Sequence, residues 1–269
     1  MDTHPPISFM AWRIGDTLDI DQQIEWIRDH GFQAVSLHAS AGAAGAWRGV
    51  DPAEADGPTR AALREKLSTF KAREVHAPFS AVMTVGETDK ALSQLEPVLA
   101  FAGAIDADIV TVHANVPSAD SAEEHAAWSE ALAVLNTLAA QNGLRVGLEI
   151  TSGFEVVMDL ALSHIGVTLD VGHMYLGETP PITAFGELGD VVRLLGGILV
   201  HLHLHQVRDG VDHVELGRGD VDYGSLLSAL REIDYVGMLC LELNPGRVDP
   251  DGMVRSRVWL ERQWQNAEC

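Results

Sequence analysis

Four residues with metal-ligand chemistry stand at the ends of four apolar runs: Glu149, Asp170, His203 and Glu242. In Val146-Gly147-Leu148-Glu149 the aliphatics share one parity and Gly147 and Glu149 the other. Val167, Leu169 and Val171 likewise oppose Thr168 and Asp170, and Leu239, Leu241 and Leu243 oppose Met238, Cys240 and Glu242. Val200, Leu202 and Leu204 oppose His201, His203 and His205. Side chains alternate across a strand, so each run presents one apolar face and one face carrying the ligand-type residue. Three carboxylates and an imidazole converging at one end of a barrel can hold a divalent metal. Burying several unpaired carboxylates would cost many kcal/mol, and a cation removes that objection. Oxygen-rich ligation with one imidazole suits Mn²⁺, Co²⁺ or Mg²⁺ better than a structural Zn²⁺. Among the neighbouring histidines, His201 reads as a hydrogen-bonded core residue, and His205 fits either a core or a ligand role.

The elements that position these residues recur along the whole chain. Short apolar runs alternate with amphipathic stretches of helical period, the pattern of parallel strand–helix units. Strands are expected at Ile7–Trp12, Ala34–His38, Val75–Phe79, Ile109–Ala114, Arg145–Ile150, Val167–Val171, Ile198–Val207 and Met238–Leu243. Helices are expected near Asp21–His30, Thr59–Ala72, Thr88–Ala104, Glu123–Gln141, Phe154–Ser163, Thr183–Leu195, Tyr223–Ile233 and Asp251–Gln265. Eight such units in 269 residues, with no linker between them, predict a single-domain (β/α)8 TIM barrel over residues 1–269. An open doubly wound sheet is disfavoured, because Ala41–Gly49 follows the second strand and lacks a G-x-G-x-x-G pattern.

Composition narrows the partners. The formal charge is −21, with three lysines among eighteen Lys and Arg residues, a field that opposes nucleic acid and anionic membrane. No apolar run approaches the roughly 18 residues of a membrane span, and Cys240 and Cys269 do not suggest a disulfide framework. A cytoplasmic protein acting on a small molecule is the expectation.

A set of ordered segments resembles the xylose isomerase-like barrels of sugar (phosphate) isomerases and epimerases, which also include endonuclease IV. They are Val75-His76-Ala77-Pro78, Val112-His113, Gly147-Leu148-Glu149, Thr168-Leu169-Asp170-Val171-Gly172-His173, His201-Leu202-His203, the run from His213 to Asp222, and Leu241-Glu242. The resemblance implies a single-metal site on Glu149, Asp170, His203 and Glu242. It implies that the ion chelates a ketose carbonyl and the neighbouring hydroxyl, while Glu149 or Glu242 removes the intervening proton to give an enediolate. The other carboxylate returns a proton on the opposite face for epimerisation; in isomerisation the proton returns to the adjacent carbon. His173 would contact a substrate hydroxyl or join a further metal. Arg208, Arg218 and Trp12 are candidate substrate contacts, with Trp47 and Phe79 as apolar wall. Gln206 departs from the family, which often carries an acid at that position. Barrels of this kind are often dimers or tetramers, so a homo-oligomer is expected.

The same resemblance supplies the alternative. His76, His113, His173 and His213 match endonuclease IV positions that bind additional metal. A multinuclear Zn²⁺ or Fe²⁺ site with Glu149 and Asp170 as bridges would suit a hydrolase or lyase of a small molecule. Val211 stands where that pattern has an Asp, with Asp212 beside His213 instead.

Overall fold

The computed structural model describes residues 4–11, 14, 18–40, 42, 49–118 and 120–267. Trp12, Trp47 and Cys269 lie outside the described residues. Eight parallel strands close into one barrel: β1 (Ile7–Ala11), β2 (Ala34–His38), β3 (Ala72–His76), β4 (Ile109–His113), β5 (Arg145–Glu149), β6 (Ile165–Asp170), β7 (Leu199–Leu204) and β10 (Leu239–Leu241). The (β/α)8 barrel expected from the strand–helix alternation is the observed fold. A short antiparallel hairpin, β8 (Gln206–Arg208) and β9 (Val211–Val214), rises from the end of β7.

The surrounding helices are α1 (Ile20–Asp29), α2 (Gly57–Leu67), α3 (Thr88–Ala104), α4 (Ala122–Gln141), α5 (Phe154–Leu160), α6 (Leu188–Leu195), α7 (Tyr223–Glu232) and α8 (Pro250–Asn266). Several start where an acidic side chain accepts an otherwise unpaired N–H of the first turn: Asp19 in a capping box with Gln22, then Asp56, Asp222 and Asp249. Part of the large negative charge thus sits where helix dipoles favour it. No helix among the described residues is long and apolar enough to cross a membrane.

The principal core lies between strands and helices. Val146, Leu148, Leu169, Leu202, Leu204, Leu239 and Leu241 are fully buried on that side, as is Trp128, whose indole N–H donates to the Met83 carbonyl at 3.2 Å. Inside the barrel, Ala34, Ile109, Val200 and Met238, with Ala72 against them, form a separate apolar floor. Above it the lumen turns polar. Ser8 and Ser36 hydroxyls lie 3.1 Å apart, and Thr111 Oγ1 sits 2.6 Å from Glu74 and 3.2 Å from Thr168. Barrel interiors are usually filled by branched aliphatics, so this polar layer marks where the fold gives up ordinary packing.

Five expectations need correction. β3 begins at Ala72, not Val75, and α2 ends at Leu67, not Ala72. The charged Arg73 and Glu74 hid the first half of the strand from a reading based on apolar runs. The helix expected from Thr183 starts at Leu188, because the chain makes a short 3-10 turn over Pro181–Ala184 and passes through Gly186 at φ 93°. β7 stops at Leu204, and the continuation is the hairpin. Finally, a register shift between β6 and β7 turns Val200 into the lumen floor rather than outward with Leu202.

Gly147 on β5 has no room for a side chain, since a methyl there would overlap the Thr168 hydroxyl. Gly147→Ala is therefore expected to destabilise the protein by about 1–3 kcal/mol through overpacking. Urea unfolding would register this as a lower midpoint with unchanged slope.

Candidate metal centre

β5, β6 and β7 deliver their last inward residues, Glu149, Asp170 and His203, to the C-terminal mouth of the barrel, and Glu242 follows directly on β10 to join them. The His203 Nδ1 atom lies 3.0 Å from Glu242 Oε2 and 3.6 Å from Glu149 Oε2. Ligand atoms of Glu149, Asp170 and His203 all fall within 4.8 Å of one another. The structure thus brings together the four residues singled out by strand parity.

Hydrogen bonds determine which atoms face the centre. His203 Nε2 lies 2.9 Å from Glu74 Oε1, so the ring donates N–H to Glu74 and turns its Nδ1 toward Glu149 and Glu242; against desolvation, the Glu242 and Glu74 carboxylates raise the imidazole well above its usual value. A lone pair 3.0 Å from a carboxylate oxygen is repulsive unless a proton or a cation intervenes. The His213 backbone N–H donates to His205 Nδ1 at 2.9 Å, which leaves His205 Nε2 as the N–H donor to Asp170 Oδ1 at 2.8 Å. That oxygen also accepts the His173 backbone N–H at 2.9 Å. Asp170 Oδ2 and His203 Nδ1 are buried without a hydrogen-bond partner among the described residues. Two orphaned donor atoms beside two further carboxylates fit a divalent cation. His205, for which the sequence left two roles open, orients a ligand-type residue. Gly172 makes this possible, because a side chain there would overlap the His205 ring.

Two histidine pairs flank the centre. His76 Nδ1 donates to the Ala77 carbonyl at 2.7 Å, so its Nε2 faces Glu149 Oε2 at 3.4 Å, and His113 Nε2 lies 3.1 Å from the same oxygen. On the other side His173 Nδ1 is 3.2 Å from Asp170 Oδ2 and 3.6 Å from Glu149 Oε1. His213 adopts the left-handed conformation at φ 50° and stacks on His205 with ring centroids 3.9 Å apart. Its Nε2 lies 3.8 Å from Glu242, and its Nδ1 lies 3.3 Å from Asp212.

Burial alone would raise the carboxylates and lower the imidazoles, but their mutual attraction overrides it. Glu149 and Glu242 are held well below the usual carboxylate range by surrounding histidines. Against desolvation, the Glu149 and Asp170 carboxylates raise His173 to about 9, and Asp212 and Glu242 raise His213 to about 10. Protonated imidazoles and a divalent cation are thus alternative ways of neutralising the same carboxylates.

Beside Glu149, His113 and His173 opens a cavity of about 690 Å³, walled by Asn115, Thr151 and Ser152 on the polar side and by Val82, Val116 and Leu176 on the apolar side. No lysine or arginine lines it among the described residues. Phe79 packs 4.6 Å from His38 and 5.5 Å from His76, beside the centre. Arg208 and Arg218 are not brought to the carboxylates. Both are exposed on the hairpin and its following loop, and the Arg208 guanidinium donates to the Arg218 carbonyl at 2.8 Å. Trp12 lies outside the described residues. Sequence reasoning missed Glu74, Asp212 as a partner of His213, and Arg247, which donates to the Asp212 carbonyl at 2.6 Å. Glu74 shares inward parity with His76, a signal obscured by the misplaced start of β3.

The chain matches the model of the xylose isomerase-like TIM barrel family over residues 24–263 and belongs to that family. It is 24% identical over 190 residues to an uncharacterized protein of Methanocaldococcus jannaschii, MJ1311, covering 62% of this chain and 63% of that protein. It is 31% identical over 88 residues to the D-psicose 3-epimerase of Enterocloster bolteae, covering 33% of this chain and 26% of the epimerase. The chain thus matches about three-fifths of the first curated relative's length and about a quarter of the second's. A solved structure of L-ribulose 3-epimerase superposes with TM-score 0.75 at 18% identity, over 98% of this chain and 96% of that one, a likeness of fold.

The electrostatics predict an unusual pH profile for the metal-free protein. Imidazoles raised on folding contribute stability that is complete below about 6.5 and lost as pH rises through about 9 to 10. Carboxylates depressed on folding contribute stability present above about 4.5 and lost as pH falls below it. The melting temperature without metal should peak between these limits and decline into the alkaline range. Saturating divalent ion should raise it more at pH 8.5 than at pH 5.5, because protons compete for the same atoms. Equal metal-induced shifts at both pH values would contradict the account.

Proposed function

We propose that this protein is a divalent-metal-dependent epimerase or isomerase of a sugar, keto-sugar or related polyol derivative, working in the cytoplasm. The observation that carries the reading is the convergence of Glu149, Asp170, His203 and Glu242 around two orphaned donor atoms at the barrel mouth. Membership of a family that includes sugar epimerases supports it, as does the local match to D-psicose 3-epimerase. Mn²⁺, Co²⁺ or Mg²⁺ suits three carboxylates and one imidazole. When bound, the ion supplies Lewis acidity that makes the C–H beside a ketose carbonyl removable.

The chain's own groups then divide the work. Glu149 from β5 and Glu242 from β10 reach the centre from either side of β6 and β7. One takes the proton from the carbon between carbonyl and hydroxyl, and the other returns it from the opposite face. His173, beside Glu149 and at the edge of the cavity, is placed to hold a substrate hydroxyl. A cavity without lysine or arginine favours an unphosphorylated substrate, since a phosphate would arrive without a counter-charge.

A second reading has its own observation. His76 and His113 converge on Glu149, and His173 and His213 gather beside Asp170, in groups able to hold further ions. Filling these positions with Zn²⁺ or Fe²⁺ would give a multinuclear hydrolase or lyase for a small molecule. The charge of −21 disfavours DNA as its substrate.

Metal analysis of protein purified without added metal or chelator separates the two: about one ion per chain supports the epimerase reading, and two or three support the hydrolase. In the epimerase case, Glu149→Gln and Glu242→Gln, checked for retained metal and fold, should each slow proton exchange between ketoses and deuterated water by about 10²–10⁴-fold. Full exchange in either variant would remove that residue from proton transfer.

A further inference from the structure

We infer that Glu74 is the positioning residue of the metal centre: a buried carboxylate that reaches across the barrel lumen to hold the His203 ring with its Nδ1 facing the ion. This rests on the metal centre proposed above. β3 and β7 stand four strands apart in a closed sheet of eight, so they are opposite walls of the barrel. Glu74 spans the space between them. Its Oε1 lies 2.9 Å from His203 Nε2 and accepts the Thr111 hydroxyl at 2.6 Å, while its Oε2 lies 2.8 Å from His201 Nε2. Glu74, Thr111, His201 and His203 are all buried to 1% exposure or less.

Packing does not account for this arrangement. An aliphatic side chain would fill an inward barrel position without the desolvation that a carboxylate incurs. No arginine or lysine pairs with Glu74 among the described residues, and its polar neighbours are the His201 and His203 imidazoles and the Thr111 hydroxyl. Two hydrogen bonds, from Thr111 and His203, hold Oε1, and the His201 ring closes on Oε2 at ion-pair distance, which restrains the carboxylate and hence the tilt of the His203 ring. Ligating histidines characteristically donate their other N–H to an acceptor that sets tautomer, orientation and basicity, and loss of such a partner costs about 10–100-fold in metal affinity. Glu74 has the position, the burial and the hydrogen bond for that role. His205 acts similarly on Asp170, so two of the four ligand-type residues are oriented by hydrogen bonds from neighbouring side chains.

The test is Co²⁺ binding by the full-length protein and by Glu74→Gln, measured by chelator competition together with the visible absorption of the bound ion. The expected result is a 10–100-fold weaker dissociation constant in the variant, with an altered cobalt spectrum and an unchanged far-ultraviolet circular dichroism spectrum. Equal affinity and an identical spectrum in the folded variant would overturn the inference and leave the metal centre standing. No Co²⁺ uptake by the unaltered protein would overturn both. If Glu74→Gln does not fold, ring ¹⁵N NMR of the unaltered Zn²⁺-loaded protein decides: His203 protonated at Nε2 and metallated at Nδ1 supports the inference, and the reverse tautomer refutes it.

Discussion

The molecule is organised around a block of negative charge that has to be neutralised inside a barrel. Glu74, Glu149, Asp170 and Glu242 all point into the lumen, and no lysine or arginine forms an ion pair with them among the described residues. Their compensation comes from histidines, which can change charge, and from the cation that the converging oxygen atoms would accept. Everything nearby follows from this condition. The lumen above the apolar floor is polar because each carboxylate oxygen needs a donor, and β6 and β7 shift register where the floor meets that layer. Ordinary cohesion is left to the shell of aliphatic residues between strands and helices, where the folding free energy is gathered without reference to the site.

This separation explains what could be read from the chain alone. Strand parity identifies Glu149, Asp170, His203 and Glu242 because in β5, β6, β7 and β10 the outward residues are uniformly aliphatic and the exceptional residue stands out. The same rule failed on β3, where Arg73 faces away from the lumen and bonds to the Asp106 carbonyl at 2.6 Å. Two adjacent charges look like a loop, so apolar runs alone leave Glu74 outside the strand. Simple alternation puts Val200 on the wrong face, because a bulge shifts parity by one residue and leaves no compositional trace. The hairpin was invisible for another reason: its position depends on contacts with the barrel mouth, including the Asn244 N–H donated to the His213 carbonyl at 2.9 Å. Arg208 and Arg218, the candidate substrate contacts, end exposed on that hairpin and the loop after it.

The helical layer was more legible than the site's surroundings. α3 runs over the residues expected for it, and α4 and α7 differ by one residue at an end. Apolar periodicity and acidic caps are local signals, and they survive without knowledge of the tertiary fold. A positioning group such as His205 or Glu74 has no local signal, since its role exists only once another strand is opposite it.

The hairpin's attachment carries a consequence for how this barrel can diversify. The His213 peptide N–H is fixed to His205, and His205 is fixed to Asp170, so one peptide of the loop is moored to the end of β6 that carries Asp170. The turn beyond it, Asp209 and Gly210 at φ 53° and 73°, is exposed. A descendant could lengthen or re-letter that tip, changing what leans over the mouth, while the mooring keeps the ion's surroundings intact. The tip of the hairpin and the carboxylate cluster beneath it could then vary separately, since the moorings all lie at Asp212 and His213 rather than at the turn.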